Sequence, residues 1–115
     1  MISFFDKEND EGNIEYKLYI KQKKSKEKLL SQCFYRLREG NGKAIYFIGV
    51  ADNGYLKIQK LKNLLSSLLT FINIIKPYCI YKTKLFTYKS YVYAIVTIIN
   101  TDINTINDLV DFNEL

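Results

Sequence analysis

The sequence predicts an α+β fold in which two helices pack on one face of a four-stranded, mainly antiparallel sheet, in the order β-α-β-α-β-β. Three observations lead to this prediction. Residues 14–21 alternate between apolar and polar side chains, as a strand with one solvated face does. Two later segments carry a single apolar stripe at helical spacing, so each can cover one side of a sheet. At 115 residues the chain has room for one core.

The first half of the chain supplies a strand, a helix and a second strand. In the first strand the side chains should divide between two faces: Ile14, Tyr16, Leu18 and Ile20 on one, and Glu15, Lys17, Tyr19 and Lys21 on the other. Ser25 is a candidate N-cap of the first helix, which should end in the Glu-Gly-Asn-Gly segment 39–42, where glycine supplies left-handed geometry. Residues 44–50 are apolar on both faces and predict a central strand.

The second half supplies a turn, a helix and a hairpin. Residues 52–54, Asp-Asn-Gly, predict a tight turn, and a helix should run from about Ile58 to the residues before Pro77. Its apolar stripe comprises Ile58, Leu61, Leu65, Leu68, Ile72 and Ile75. Strands at 78–87 and 91–99 should meet at a turn of residues 88–90. We expect Val92, Ala94, Val96 and Ile98 to face the core, and Tyr91, Tyr93 and Thr97 to face outward with Lys17, Tyr19 and Lys21 on an exposed sheet face.

The charge divides the chain into three parts. Residues 1–11 form an acidic N-terminal segment with net charge −3, and residues 101–115 form an acidic C-terminal tail with net charge −4. Residues 12–100, the predicted α+β domain, carry +12. This concentration of cations indicates a polyanionic partner, with nucleic acid favoured over a membrane because the lysines do not line one amphipathic helix.

Several classes of function lack the residues they need. The chain contains no histidine, and Cys33 and Cys79 fit no metal-ligand spacing, so we expect no enzyme activity, no cofactor and no metal. No apolar run is long enough to span a membrane, and the N-terminus lacks the features of a secretory signal. We therefore expect a cytoplasmic protein with reduced thiols, no membrane partner and no small-molecule substrate.

The segment Gly40-Asn41-Gly42-Lys43 resembles part of a phosphate-binding loop but departs from the motif. A Walker motif requires glycine five residues before the Gly-Lys pair and Ser or Thr after it, and those positions hold Leu37 and Ala44. We interpret the glycines as a helix cap and a turn, and we expect no GTP site.

The lysine run 21–28 follows a strand and precedes a helix, where a loop can project toward phosphates. The predicted RNA-binding residues are Lys17, Lys21, Lys23, Lys24, Lys26, Lys28, Arg36, Arg38, Lys43, Lys82, Lys84 and Lys89. Tyrosines on the exposed sheet face could add base stacking. The alternative for any one lysine is simple solvation, and for Arg36 and Arg38 it is an ion pair with Glu39 or solvation.

Two blocks of sequence resemble a known family. Residues 12–18 (GNIEYKL) and 36–50 (RLREGNGKAIYFIGV), followed by Asp52-Asn53-Gly54, are similar to the N-terminal domain of elongation-factor-like translational GTPases, GTP-binding protein 1 and its relatives. The resemblance covers roughly residues 11–100. In that family the domain precedes the nucleotide-binding domain, and this chain ends near the point where the first strand of that domain would follow. We therefore expect no GTP hydrolysis.

A free-standing domain of this kind also resembles the ribosome dormancy factors of microsporidia. That resemblance implies a ribosome hibernation factor that binds rRNA and ribosomal proteins, blocks the tRNA exit region of idle ribosomes and so inhibits translation. The alternatives are a protein-interaction module, a general RNA-binding domain unrelated to dormancy and, third, an RNA-active enzyme.

Overall fold

A computed structural model describes residues 2–21, 26–100 and 102 of the chain. Within this part the chain forms two helices and six strands: β1 (Ile2–Ser3), β2 (Ile14–Lys17), α1 (Lys26–Glu39), β3 (Lys43–Ile48), β4 (Tyr55–Leu56), α2 (Leu61–Ile75), β5 (Ile80–Tyr88) and β6 (Tyr91–Ile99). Four strands form the main sheet in the order β2-β3-β6-β5, and β1 pairs with β4 in a small antiparallel sheet.

The α+β class and the four-stranded sheet are confirmed, and the topology differs from the prediction in detail. Strands β2 and β3 are parallel and are joined by α1, whereas the β3–β6 and β5–β6 pairs are antiparallel. Strand β3 is central, as its apolar sequence predicts. Strands β1 and β4 were not predicted, because two-residue strands carry no periodic signal. Strand β1 also shows that part of the acidic N-terminal segment is built into the fold.

Helix α1 ends as predicted at Glu39, but asparagine rather than the first glycine takes the left-handed conformation. Asn41 has φ 53° and Gly42 has φ 99°. The amide of Gly42 donates to the carbonyl of Leu37 at 2.8 Å, and that of Asn41 to Arg38 at 3.2 Å, which is a Schellman closure. Gly40 is required for space instead, since a Cβ there would lie 1.8 Å from the Lys43 carbonyl oxygen. The candidate N-cap, Ser25, lies outside the described residues.

Helix α2 begins at Leu61, three residues later than predicted, and ends at Ile75 before Lys76-Pro77 as predicted. Its buried apolar face consists of Leu64, Leu68, Phe71 and Ile75, whereas Ile58 and Leu61 are 62% and 50% exposed. The predicted stripe was therefore wrong at its N-terminal end. Ile58 precedes the helix and so is not part of its apolar face, and the sequence pattern does not indicate that Leu61, in the first turn, stays exposed.

The sheet has an apolar cluster on each face. The cluster on the helix side contains Phe34, Leu37, Tyr46, Phe71 and Val96, among others. The outer cluster is formed by Tyr16, Val50, Leu56 and Tyr93, with Ile2 and Phe5 packed against it. Ala94, Val96 and Ile98 of β6 face the helices as predicted. Tyr93, predicted to be exposed, is buried because the N-terminal segment covers its half of the outer face.

Strand β2 is oriented opposite to the prediction. Glu15 aligns with Tyr46 and Tyr16 with Phe47, so Glu15 and Lys17 point toward the helices and Tyr16 points outward. The strand ends at Lys17, so the alternation does not extend to Ile20, which joins the helix-side core. Lys17 therefore leaves the outer face, to which the sequence assigned it together with Tyr91 and Tyr93.

The hairpin of β5 and β6 matches the prediction closely. Its turn contains two residues, Lys89 and Ser90, rather than three, and Lys89 has φ 54°. Strand β5 is the edge of the main sheet, and only Thr83 and Phe86 of its nine residues are even half-buried. Within the described part of the chain, nothing pairs with the outer edge of β5, and most of its side chains are exposed.

Candidate nucleic-acid interface

Arg36 was predicted to contact RNA, but the structure places it inside the protein. Its Nε donates to Oε1 of Glu15 at 3.0 Å. Its Nη1 donates to the carbonyl of Gly12 at 2.8 Å, and its Nη2 to the carbonyl of Asn9 at 2.9 Å. Arg36 and Glu15 are only 3% and 4% exposed. The predicted RNA contact at Arg36 does not agree with this position, because its guanidinium binds Glu15 and the N-terminal backbone.

Glu8 extends this buried cluster into the N-terminal segment. Its Oε2 accepts a hydrogen bond from the amide of Tyr16. Burial, followed by a hydrogen bond with Glu15, raises the pKa of Glu8 from 4.5 to about 7. Burial and the neighbouring carboxyl of Glu15 both favour the protonated form of Glu8. The acidic N-terminal segment is thus fixed to β2 at this point.

Three predicted lysines converge on a groove between the end of β2 and the helices. This crossover groove has a volume of about 490 Å³ and is lined by Lys17, Lys21, Lys28 and Tyr19, with Ile20, Leu29 and Ile74 as apolar lining. Lys21 and Lys28 are exposed, and Nζ of Lys17 lies 3.9 Å from Oε2 of Glu15. Among the described residues that line the groove none is acidic. Its composition suits a phosphate beside an apolar ring.

Tyr19 connects the crossover groove to a second basic groove that the sequence analysis missed. Lys57, Lys60 and Lys62 line this helix-start groove of about 750 Å³, which shares Tyr19 with the crossover groove. Tyr19 is 45% exposed, and its hydroxyl accepts a hydrogen bond from Nζ of Lys57 at 2.9 Å. The two grooves together form the Tyr19 surface, which places six lysines around one exposed aromatic ring. The sequence feature that could have indicated the helix-start groove is the presence of three lysines within residues 57–62.

Three other predicted lysines lie on the opposite face of the sheet. Lys43, Lys82 and Lys84 line a sheet groove of about 760 Å³ together with Ile80, Ile95 and Ile99. Phe86 also lines it, but its ring stacks on Tyr93 with centroids 5.0 Å apart and planes 10° from parallel. The predicted cations therefore form two separate surfaces rather than one.

The remaining predicted residues are dispersed. Lys26 is exposed at the start of α1, where it lines a shallow hollow with Thr70 and Asn73. Arg38 is exposed, and its guanidinium lies 5.9 Å from the Tyr35 ring centroid. Lys89 is exposed in the hairpin turn, 5.5 Å from the Tyr88 centroid. Lys23 and Lys24 lie outside the described residues.

Other kinds of site find little support in the described part of the chain. No group of three or more Cys, Asp or Glu side chains there could hold a metal ion. None of the described helices is long and apolar enough to cross a membrane. The Gly40–Lys43 segment closes helix α1 and leads into β3, as the sequence interpretation of a cap requires. Burial raises the pKa of Cys33 to about 12 and that of Cys79 to about 11, so neither thiol is activated.

The fold and the charges define a small α+β domain with two basic surfaces, and comparison with known proteins adds a partial relationship. The chain is 49% identical over 51 residues to GTP-binding protein 2 of mouse and of human. The match covers 43% of this chain but 8% of each relative. It supports the resemblance to GTP-binding protein 1 and its relatives in part. No protein-family profile matches the chain, and no solved structure matches it.

Proposed function

We propose that this chain is a ribosome-binding factor whose Tyr19 surface contacts rRNA. The observation that carries the proposal is the gathering of Lys17, Lys21 and Lys28 with Lys57, Lys60 and Lys62 around one exposed tyrosine. These lysines come from sequence segments that are far apart, so their proximity is a property of the fold. Cations spread over two adjoining grooves match the closely spaced phosphates of a nucleic acid better than one small anion.

The crossover groove suits an unpaired nucleotide. Sequence-tolerant contacts to RNA combine cations on the backbone with a ring on which a base can stack. Tyr19 supplies the ring, Lys21 and Lys28 supply exposed charge, and Ile20 supplies apolar lining. The hydrogen bond from Lys57 orients the Tyr19 ring, so less side-chain entropy is lost when a base stacks on it.

The partial match to GTP-binding protein 2 and the resemblance of residues 12–18 and 36–54 to elongation-factor-like GTPases support the ribosome as the particle, and the dormancy role is part of the proposal. In this proposal the chain occupies the tRNA exit region of idle ribosomes, contacts rRNA and ribosomal proteins, and inhibits translation in the cytoplasm. It does so without hydrolysing GTP, since the only phosphate-loop-like segment in the sequence, residues 40–43, is a helix cap. The match covers only 8% of the length of the GTP-binding relatives, so the proposal does not draw on their activity.

Binding to purified ribosomes at several salt concentrations tests the proposal. We expect the variant Lys17→Gln/Lys21→Gln/Lys28→Gln to bind more weakly and to lower the slope of log affinity against log salt by about two, since each phosphate contact contributes about 0.7 to 0.9. The matched control is Lys43→Gln/Lys82→Gln/Lys84→Gln, which removes the same charge from the opposite sheet face. Equal losses in both variants would mean that net charge alone drives binding, and the Tyr19 surface would not be the site.

The tRNA exit region is tested separately by competition. Deacylated tRNA should displace the chain from ribosomes, and the chain should reduce tRNA binding at that site. Simultaneous binding of both at full occupancy would contradict the exit-region assignment while leaving RNA binding by the Tyr19 surface intact. Incubation with labelled RNA checks the enzyme alternative, for which we expect no cleavage.

A further inference from the structure

Among the described residues, no strand pairs with the outer edge of the nine-residue strand β5. Its partner β6 lies on one side only, and the pairing runs from Ile80–Ile99 to Tyr88–Tyr91. A two-residue turn makes Tyr88–Tyr91 a hydrogen-bonded pair, so alternate residues from that point bond to β6. The amides and carbonyls of Tyr81, Thr83, Leu85 and Thr87 therefore point away from the sheet.

Several side chains along this edge are apolar although they are exposed to solvent. Ile80 is 75% exposed, Leu85 52% and Tyr81 43%, and Ile99 beside Ile80 is 39% exposed. A long exposed edge strand with such residues is a template for pairing with another strand. The adjoining sheet groove adds Ile95 to this surface. Burial of these side chains would accompany the addition of a strand.

The positive charge on this surface favours a partner with negatively charged side chains. Lys82 and Lys84 stand on the outer face of β5, and Lys43 stands two strands away on the same face. Among the described residues that line the sheet groove none is acidic. In the fully overlapping antiparallel pairing of two copies of β5, the central Lys84 would face its own equivalent. Like charges opposite each other are unfavourable, so the same lysines that attract an acidic strand disfavour a second copy.

RNA suits this surface poorly. Base stacking requires an accessible ring, and the ring of Phe86 has one face against Tyr93. Tyr81, which also lines the groove, is paired with Ile98 and so belongs to the helix-side face of β5. Between the three lysines the groove is lined by the aliphatic side chains Ile80, Ile95 and Ile99, on which a base cannot stack. Aliphatic pockets beside an open strand edge are the features by which sheet edges bind extended peptides.

We infer that the β5 edge binds an extended peptide segment of a partner protein by strand addition, with acidic side chains over Lys82 and Lys84 and aliphatic side chains in the sheet groove. This site is separate from the Tyr19 surface and does not depend on RNA binding. Backbone hydrogen bonds to the outward-pointing groups supply affinity, and the alternating side chains supply selectivity.

A synthetic peptide of alternating glutamate and valine tests the inference on the full chain. We expect saturable NMR shift changes confined to β5 and the sheet groove, and amide exchange at Thr83 and Leu85 slowed about tenfold at a peptide concentration ten times the Kd. The corresponding lysine–valine peptide should not bind. Binding should be lost in Lys82→Glu/Lys84→Glu and retained in Lys17→Gln/Lys21→Gln/Lys28→Gln. In a second variant, Leu85→Pro removes one outward-pointing amide without removing a bond to β6, and it should also abolish binding.

Several results would overturn the inference. Absence of shifts, equal binding of the lysine–valine peptide, or binding without slowed exchange of the outward amides would each rule out strand addition of an acidic segment. Preferential binding of an RNA oligonucleotide at the sheet groove would assign it to RNA. Protection of the same amides that increases with protein concentration would assign the edge to a second copy. Protection lost on removal of residues 103–115 would assign it to the chain itself.

Discussion

The guanidinium of Arg36 and the carboxylate of Glu15 form an ion pair inside the protein, with Arg36 Nε 3.0 Å from Glu15 Oε1. The pair joins α1 to the edge strand β2, and two further bonds from Arg36 bind the carbonyls of Gly12 and Asn9. One side chain therefore anchors a helix, a strand and the segment that leads into that strand. Because both partners are buried, the loss of either one leaves the other charge away from water, at a large cost in solvation free energy.

Replacing Arg36 should destabilise the fold strongly. Arg36→Gln removes the buried counter-ion of Glu15 and leaves it only the part-exposed Lys17, at 3.9 Å, so we expect a loss of about 3 to 5 kcal/mol in the free energy of unfolding. Urea denaturation followed by circular dichroism measures this loss. Arg38→Gln, at an exposed position on the same helix, is the matched control and should change stability by less than about 0.5 kcal/mol. Similar values for the two variants would mean that the buried pair contributes nothing particular.

Glu8 should make the protein less stable as the pH rises through neutrality. Its folded-state pKa is raised from 4.5 to about 7, first by burial and then by the hydrogen bond with Glu15. Between these values the folded state holds a proton that the unfolded state has lost, so the contribution is fully present below pH 4.5 and is lost as the pH rises through about 7.

Unfolding titrations across this pH window test the role of Glu8. We expect Glu8→Gln to flatten the pH dependence, because the amide still accepts from Tyr16 and donates to Glu15 without titrating. Glu11→Gln, at an exposed position nearby, should leave the dependence as it is in the unsubstituted chain. An identical pH profile for the Glu8 variant and the unsubstituted chain would show that another group titrates.

Substitution of Gly40 by alanine should lower the stability of the fold more than the same substitution of Gly12. A Cβ at Gly40 would lie 1.8 Å from the Lys43 carbonyl oxygen, so Gly40→Ala requires backbone movement and should cost about 3 kcal/mol. Gly12 has φ +88° but nothing within 4 Å of the added atom, so Gly12→Ala should cost only the backbone strain, about 1 to 2 kcal/mol. Thermal unfolding of both variants gives the order, and a greater loss for Gly12→Ala would contradict the close contact at Gly40.

Both cysteines should resist thiol reagents in the folded protein. Burial raises the pKa of Cys33 to about 12, and its Sγ donates to the Tyr46 hydroxyl at 3.2 Å. Burial likewise raises the pKa of Cys79 to about 11. At about pH 8, where an ordinary thiol of pKa about 8.5 reacts readily, we expect little labelling until denaturant is added. Prompt labelling of Cys33 without denaturant would show that the core opens locally.

The sequence identified about half of the Tyr19 surface. The run 21–28 and Lys17 were found from local charge, and Tyr19 was expected to be exposed. Lys57, Lys60 and Lys62 were missed, because only the fold brings the start of α2 beside the end of β2. Arg36 was assigned to the wrong environment for a related reason. A charge next to an apolar stripe is solvated or buried according to whether an opposite charge faces it, and Glu15 faces it from another element.

The sequence by itself determined the two helices, the central position of β3 and the final hairpin, because these depend on local periodicity, turn residues and the proline after α2. Only the tertiary structure decided which face of β2 meets the helices. The alternation in a strand defines two faces but does not indicate which of them packs against the helices. Here the N-terminal segment contributes to a second apolar cluster, in which Tyr16 is buried. Glu15 then turns inward to Arg36, since a buried charge is tolerated where an opposite charge is held against it.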